Sequence, residues 1–510
     1  MPGRCSHRKH GPFIEKRQVM KPLRRVVRLL GAALLSACTT RPIDADLVIE
    51  HATLIDGTDA PPKANMSVAV KGEQIVAVAL TADLGRVNPS AARVDARGKY
   101  LIPGLWDMHA HLYGYNEHAF PLYLANGITT IRELGGDLSQ GVRFRSEIRA
   151  KRMLGPTMLI AGPTLDADYL VRGVIGTPFA GGRAMVADSL SGARMVDRLA
   201  RAGVDLIKVH SMTPRAAYFA ILAQAQRHGL PVAGHIPDSI APHEALAAGQ
   251  RTIEHDFRLS LGMSPAEPAI TRWMLAAMQR HIDSTQTHPN YERLFALRLA
   301  ADDSGRRTFD SATAAAFAAR AAQASVWLDP TLAVTESMVR VNDPSIRQRP
   351  EFKYIPQAAR LIEEGPPPAA HPTVAQLESA RREWLDVLAM YRPLVKAGVK
   401  FVAGSDVPVL PLVPGFSIHW ELEELVAMGL TPSQAIQAAT HNAAAAAGKL
   451  ELVGTVERGK TADLVLLDAD PLSSIGNTRR IQAVVTRGRL LDRGALDQML
   501  AAAEAFAKRP

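Results

Sequence analysis

The chain has 510 residues, of which 47% are apolar, 21% charged and 5% aromatic. That is ordinary globular composition, and it excludes a collagen, a disordered polar chain and a coiled coil. The net charge of +9 suggests a nucleic-acid partner, but residues 1–37 hold nine basic side chains against one acid, Glu15, which leaves only +1 for the rest. A nearly neutral body argues against a broad phosphate-binding surface, so no nucleic-acid partner is expected.

The first predicted element is a leader. Lys21-Pro-Leu-Arg24-Arg25-Val-Val-Arg28 is basic, Leu29 to Ala37 is a short, mostly apolar run, and Leu35-Ser36-Ala37-Cys38 closes it. This order reads as a secretory signal, and the apolar run is too short to cross a bilayer, which needs about 20 residues. Met20 rather than Met1 then reads as the start. Leu-Ser-Ala-Cys resembles the lipobox of bacterial lipoproteins. That resemblance implies cleavage before Cys38 and a lipid on its sulfur, and Thr39 in place of Asp points to the outer membrane. The expectation is an exported protein, held on the periplasmic face by lipid or soluble in the periplasm. The two cysteines, Cys5 and Cys38, both lie in or at the end of this leader. The mature fold therefore has no internal disulfide, and any metal site must use His, Asp, Glu or modified Lys.

Short strands separated by turn residues follow: Asp46–Glu50, Met66–Val70 and Gln74–Val78. The same style returns in Asp463–Asp468 and Ile481–Thr486. Residues 45–104 and 447–495 are expected to form one composite β-sandwich domain. Between them, eight apolar runs alternate with helical stretches: Leu101–His111, Ile128–Arg132, Met158–Ala161, Leu206–Val209, Val232–His235, Thr252–His255, Val326–Leu328 and Phe401–Ala403. Eight β/α units over 105–446 predict a closed parallel barrel, a (β/α)8 TIM barrel in the α/β class. Residues 264–325 and 335–397 exceed plain connections and read as helical insertions over the barrel mouth, the second with a loop at Pro366-Pro367-Pro368. Thr431-Pro432-Ser433-Gln434 is a capping box with Pro at the first helical position.

The candidate site residues stand where these runs end. His109 and His111 are two apart, which on a strand puts both on one face. Alone, one such pair among sixteen histidines is weak evidence. Lys208 sits inside an apolar run, where a lysine is rarely buried without a partner. His235, His255 and Asp406 end the fifth, sixth and eighth runs. Each has a structural explanation of its own, such as a satisfied core histidine, a helix-capping aspartate or a lysine reaching the rim. All six in this order, at the strand ends where barrel enzymes carry catalytic groups, are hard to attribute to chance.

The ordered set, with Gly98-Lys-Tyr-Leu-Ile-Pro-Gly104-Leu-Trp-Asp107-Met-His109-Ala-His111, Thr440-His-Asn442 and Gly459-Lys-Thr-Ala-Asp463, resembles the amidohydrolase superfamily in its imidazolonepropionase-like and Xaa-Pro-dipeptidase-like branch. The resemblance spans roughly residues 45–490. It implies that His109, His111 and Asp406 bind one metal ion and His235 and His255 a second. Lys208 would bridge them as a carbamate made with CO2. Zn2+ suits such a His and carboxylate shell. Two divalent ions would activate a water and polarise a carbonyl, with Asp406 carrying the proton to the leaving nitrogen. The expected activity is cleavage of a C–N amide bond in a small peptide or amide, of dipeptide or N-acyl amino acid type. Ring opening of a cyclic amide or lactone by one metal, and a catalytically inactive envelope binding protein on the same scaffold, stand as alternatives. A homo-oligomer is compatible with either.

Five further residues are secondary candidates. His210 shares the face of Lys208, where it would orient substrate or stabilise the oxyanion, or simply pack at the rim. Tyr113 and Tyr115 follow the His-Ala-His strand as candidate substrate contacts, although loop aromatics more often pack. His288, in Gln286-Thr-His288-Pro289, reads more readily as a solvated loop residue, and Arg172 is a candidate partner for a substrate carboxylate.

Overall fold

A computed structural model describes residues 42–167, 182–285, 290–356, 372–409 and 411–509. The leader with Cys38, Arg172, His288 and the Pro366–Pro368 loop lie outside the described residues.

The two chain ends build one sheet. Strands β1 (Leu47–Leu54), β2 (Lys63–Lys71), β3 (Gln74–Leu80), β4 (Ala92–Asp95) and β5 (Tyr100–Pro103) come from the first end. The second supplies β15 (Leu464–Leu467), β16 (Ile481–Thr486) and β17 (Arg489–Asp492). Their order is β17-β16-β15-β5-β1-β2-β3, with β4 paired to β1. The junction is β15 against β5, antiparallel, from Leu464 opposite Pro103 to Leu467 opposite Tyr100. Alternation puts Leu101, Leu464 and Leu466 into a core with Ile49, Val68 and Val485, while Ile102, Val465 and Leu467 face the rest of the protein.

The run expected as a single strand from Leu101 to His111 is divided at Gly104. Residues before it belong to the terminal sheet, and β6 (Leu105–Ala110) opens the barrel. A Cβ at Gly104 would lie 2.2 Å from Thr129 Oγ1, so only glycine lets β6 approach β7 (Ile128–Glu133) here.

The barrel continues through β8 (Thr157–Ile160), prolonged by β9 (Thr164–Asp166), which also pairs with β10 (Arg183–Met185). Then come β11 (Ile207–Val209), β12 (Val232–Gly234), β13 (Thr252–Glu254) and β14 (Trp327–Asp329), each parallel to the one before. The eighth position is the segment 400–407. It bonds β14 through Val402 N to Leu328 O, at 2.9 Å. It bonds β6 through Met108 N to Ala403 O and His111 N to Val407 O, both 2.9 Å. Asp205 N donates to Ile160 O at 2.9 Å, joining β8 to the approach of β11.

Between β13 and β14 lie the helices Glu267–Thr285, Tyr291–Arg307 and Ser311–Gln323. The first two pair with each other, whereas the third packs on the helices Pro242–Ala247 and Val374–Lys396. Ser311–Gln323 and Val374–Lys396 thus belong to the helical layer around the barrel, and the extra structure between β13 and β14 is mainly the hairpin 267–307. The capping box at Thr431 forms as expected, with Gln434 N donating to Thr431 Oγ1. Among the described residues no helix is long and apolar enough to cross a membrane.

Candidate active site

The carboxyl ends of the barrel strands bring together every one of the six residues singled out at run ends. Asp406 lies at the centre. Its Oδ1 is 3.2 Å from His109 Nε2 and 3.3 Å from His111 Nε2, and its Oδ2 is 3.9 Å from His255 Nε2. Lys208 Nζ is 3.3 Å from His109 Nε2. The imidazoles follow one another across the barrel, with ring centroids 4.7 Å apart for His109–His255, 4.6 Å for His255–His235 and 4.2 Å for His235–His210. His210 therefore joins the cluster. Tyr113 stacks on His111 at 5.2 Å, but Tyr115 is buried in the apolar core and lines no part of the site.

Local backbone explains part of this convergence. A Cβ at Gly234 would fall 2.0 Å from Val209 O, so glycine before His235 lets β12 close on β11 and sets the imidazole beside His210. His255 and Asp406 both adopt left-handed φ values, 66° and 59°. Such conformations cost about 1–3 kcal/mol each in non-glycine residues and gather at functional sites, because packing must over-determine them.

The Nδ1 atoms are held from behind. His111 Nδ1 donates to Gly135 O at 3.0 Å. His235 Nδ1 meets Ser211 Oγ at 2.6 Å and His255 Nδ1 meets Thr331 Oγ1 at 2.7 Å. His210 Nδ1 pairs with Asp166 Oδ2 at 2.7 Å, and the same oxygen accepts from Arg183 Nη1 at 2.9 Å. Holding Nδ1 fixes ring orientation and turns Nε2 inward as the ligating atom.

Burial sets the charge states. It pushes His255 and His210 down to about 4 and holds His109 and His235 well below the usual imidazole range, with Lys208 and neighbouring imidazoles adding to the effect at both. Burial also brings the Lys208 amine down to about 8. Asp406 stays ionised against burial because His109, His255 and His111 surround it. His111 is the exception, because Asp406 and Glu133 outweigh its burial and raise it. Three imidazoles of lowered basicity, His109, His235 and His255, with one carboxylate and an amine of lowered basicity, make a donor set suited to a divalent cation. Nε2 or Nδ1 of His109 and His255 and an oxygen of Asp406 lie within 4.8 Å of one another, and His109 Nδ1 has no hydrogen-bond partner. The residues present fit a metal ion.

Beneath the histidines is a charged layer inside the barrel. Arg132 donates to Met108 O at 2.5 Å, to Thr252 Oγ1 at 2.8 Å, to both oxygens of Glu254 at 3.0 and 2.9 Å, and to Asp329 Oδ2 at 3.2 Å. Glu254 Oε2 lies 3.4 Å from His109 Nδ1. These residues are absent from the sequence reading. A signal existed: Thr252 and Glu254 alternate on β13, which points both polar side chains into the barrel.

The cavity over the cluster measures about 80 Å³ and is lined by the histidines, Lys208, Asp406, Arg183, Arg298, Phe257, Tyr291, Phe295 and Met338 among others. A larger one, about 800 Å³, lies at the opposite, amino ends of the strands, around Leu206, Pro231, Arg251 and Lys449. It holds none of the clustered donors, so the small cavity is the candidate active site.

The amidohydrolase family model matches residues 100–491. Ochratoxinase from Aspergillus niger is 23% identical over an alignment of 508 residues that covers 88% of each chain. Imidazolonepropionase from Symbiobacterium thermophilum is 25% identical over 446 residues, 83% of this chain and 89% of that one. In fold, the chain is similar to a Xaa-Pro dipeptidase crystallised with methionine in its active site, with a TM-score of 0.60 at 19% identity over 88% of this chain and 99% of that chain.

Proposed function

The chain belongs to the amidohydrolase family, and on that premise we propose that it is a metal-dependent hydrolase that cleaves the C–N amide bond of dipeptides or N-acyl amino acids. His109, His111 and Asp406 would hold one divalent ion, His235 and His255 a second, and Lys208 would bridge them as its carbamate. Zn2+ is the ion best suited to this shell. When bound, the ions lower the pKa of water and polarise the scissile carbonyl.

The remaining steps fall to the chain itself. Asp406, ionised and facing the cavity, accepts the proton of the attacking water at a carboxylate oxygen and delivers it to the leaving nitrogen. The products are a carboxylate and an amine. His210 is neutral, and with its Nδ1 proton on Asp166 its Nε2 is an acceptor. It therefore suits orienting a substrate N–H or a water better than stabilising an oxyanion. The lowered basicity of Lys208 favours the neutral amine that reacts with CO2.

The observation that carries this reading is the gathering of His109, His111, Lys208, His235, His255 and Asp406 at the carboxyl ends of the barrel strands. The test is elemental analysis joined to a screen of dipeptides and N-acyl amino acids. Two equivalents of metal with cleavage of one class are expected, and Asp406→Asn should abolish turnover while keeping much of the metal. Wild-type rates in that variant would refute the assignment. Activity saturating at one equivalent of metal would favour the single-metal, ring-opening alternative instead. Export and lipidation at Cys38 rest on the leader sequence. Loss of membrane association and of radiolabelled palmitate in Cys38→Ala is the expected outcome.

A further inference from the structure

A second set of groups lines the same cavity and takes no part in the proton transfers assigned to Asp406. Arg298, on the helix Tyr291–Arg307, is 2% exposed and lines the cavity. Its Nε and Nη2 donate to the two oxygens of Asp238 at 2.9 and 2.7 Å. Asp238 stands three residues after His235 on the same loop, and its backbone N donates to Ser211 O at 2.6 Å. The pair thus anchors the guanidinium to the loop that carries a candidate metal ligand. Nη1 has no partner among the described residues, and a guanidinium does not give up its proton.

Apolar groups continue along the same helix face, because Tyr291, Phe295 and Arg298 are spaced i, i+4 and i+7. Phe257 sits 5.1 Å from the His255 ring and 5.6 Å from the His235 ring. Phe295 meets Phe257 edge-on at 5.9 Å, and Tyr291 stacks on Phe295 at 6.1 Å. An aromatic row therefore leads away from the histidines, onto a helix that also brings Arg298 to the same cavity. Among the described lining residues Asp406 is the only carboxylate, facing Lys208, Arg183 and Arg298.

We infer that Arg298 Nη1 anchors a substrate carboxylate and that the Phe257–Phe295–Tyr291 row receives a flat apolar side chain. The residue released as the amine then carries a free α-carboxylate and an aromatic or large apolar side chain. This rests on the amide-hydrolase reading, and it assigns to Arg298 more than the fastening of a helix to the barrel.

The test compares N-acetyl-phenylalanine with N-acetyl-phenylalaninamide on the metal-loaded, full-length protein, in two measurements. The first is kcat/KM, expected to favour the acid by about 10- to 100-fold, as one charge-assisted hydrogen bond would give. The second is calorimetric binding of both compounds to metal-loaded Asp406→Asn, where turnover is blocked, with the same preference expected. Arg298→Met alone leaves Asp238 buried and unpaired and would endanger folding, so it is combined with Asp238→Asn. In that double variant, built on each background, the acid should fall to the level of the amide. Equal binding of acid and amide in the Arg298-intact protein overturns the inference, and so does a preference that survives the double variant. If neither compound is hydrolysed yet the binding preference holds and disappears with Arg298, the carboxylate anchor stands and the hydrolytic reading of this substrate class fails.

Discussion

Replacing Arg132 by Met should destabilise the protein through the charged layer below the histidines. The guanidinium contacts Glu254 at 3.0 and 2.9 Å and Asp329 at 3.2 Å, and all three side chains are at most 4% exposed. Burial opposes charge on both acids. Arg132 and Lys208 nevertheless hold Glu254 below the usual carboxylate range, while burial and the neighbouring Glu254 push Asp329 well above it. The native layer is therefore one cation, one carboxylate and one carboxylic acid. Met fills similar space but leaves the Glu254 charge uncompensated, which costs about 3–5 kcal/mol when one partner of a buried pair is removed. Adding Glu254→Gln removes that charge, and Asp329 already carries its proton, so the double variant should recover at least half of the loss. Urea denaturation with a chelator present is the assay, because metal binding would otherwise add its own stabilisation. A loss below about 1 kcal/mol in Arg132→Met, or losses that simply add in the double variant, would refute the argument that charge pairing rather than packing volume holds this layer.

Two other changes probe different parts of the molecule. Glu421 is buried on the helix Phe416–Ala427, its Oε2 accepting from Ala333 N at 2.8 Å, and burial raises its pKa from 4.5 to about 8. The folded value exceeds the unfolded one, so this contribution is complete below pH 4.5 and is lost as pH rises towards 8. Glu421→Gln should then gain on wild type by on the order of 4 kcal/mol at pH 8 and almost nothing near pH 4.5. Urea midpoints at the two pH values test it, and an equal offset at both would contradict the buried-acid reading. Asp166→Asn should lower kcat/KM by about 10- to 100-fold with metal content unchanged, because the amide can donate to His210 Nδ1 and turn Nε2 from acceptor to donor. Rates within a factor of three of wild type would show that His210 does not need Asp166.

How much of this was legible depended on whether a residue's role is local. His109, His111, Lys208, His235, His255 and Asp406 each end or interrupt an apolar run, so position along the chain alone marks them. The run Leu101–His111 reads as one strand because it is continuous in hydropathy, while its break at Gly104 comes from a close approach to Thr129. The strands β9 (Thr-Leu-Asp) and β10 (Arg-Ala-Met) lack the apolar run that marks the equally short β11 to β14, and they carry Asp166 and Arg183 beside His210. The helices Ser311–Gln323 and Val374–Lys396 looked like insertions because length alone cannot tell a barrel helix from the segment inserted before it.

The groups that escaped the sequence share one property: their partners are distant in the chain. Arg132 meets Glu254 across 122 positions and Asp329 across 197, and Arg298 meets Asp238 across 60. No spacing rule reaches such pairs, because only barrel closure brings β7, β13 and β14 within hydrogen-bond range of one guanidinium. Alternation still carries a partial signal. In a parallel strand buried on both faces, a charged residue at an inward position must be paired or functional. Glu254, Asp329 and Arg132 all meet that description. Because each buried charge needs an opposite, these positions alone imply a charged layer inside the barrel. That the same layer reaches His109 Nδ1 has no trace in the sequence, since that contact, at 3.4 Å, depends on the register between β6 and β13 around the barrel.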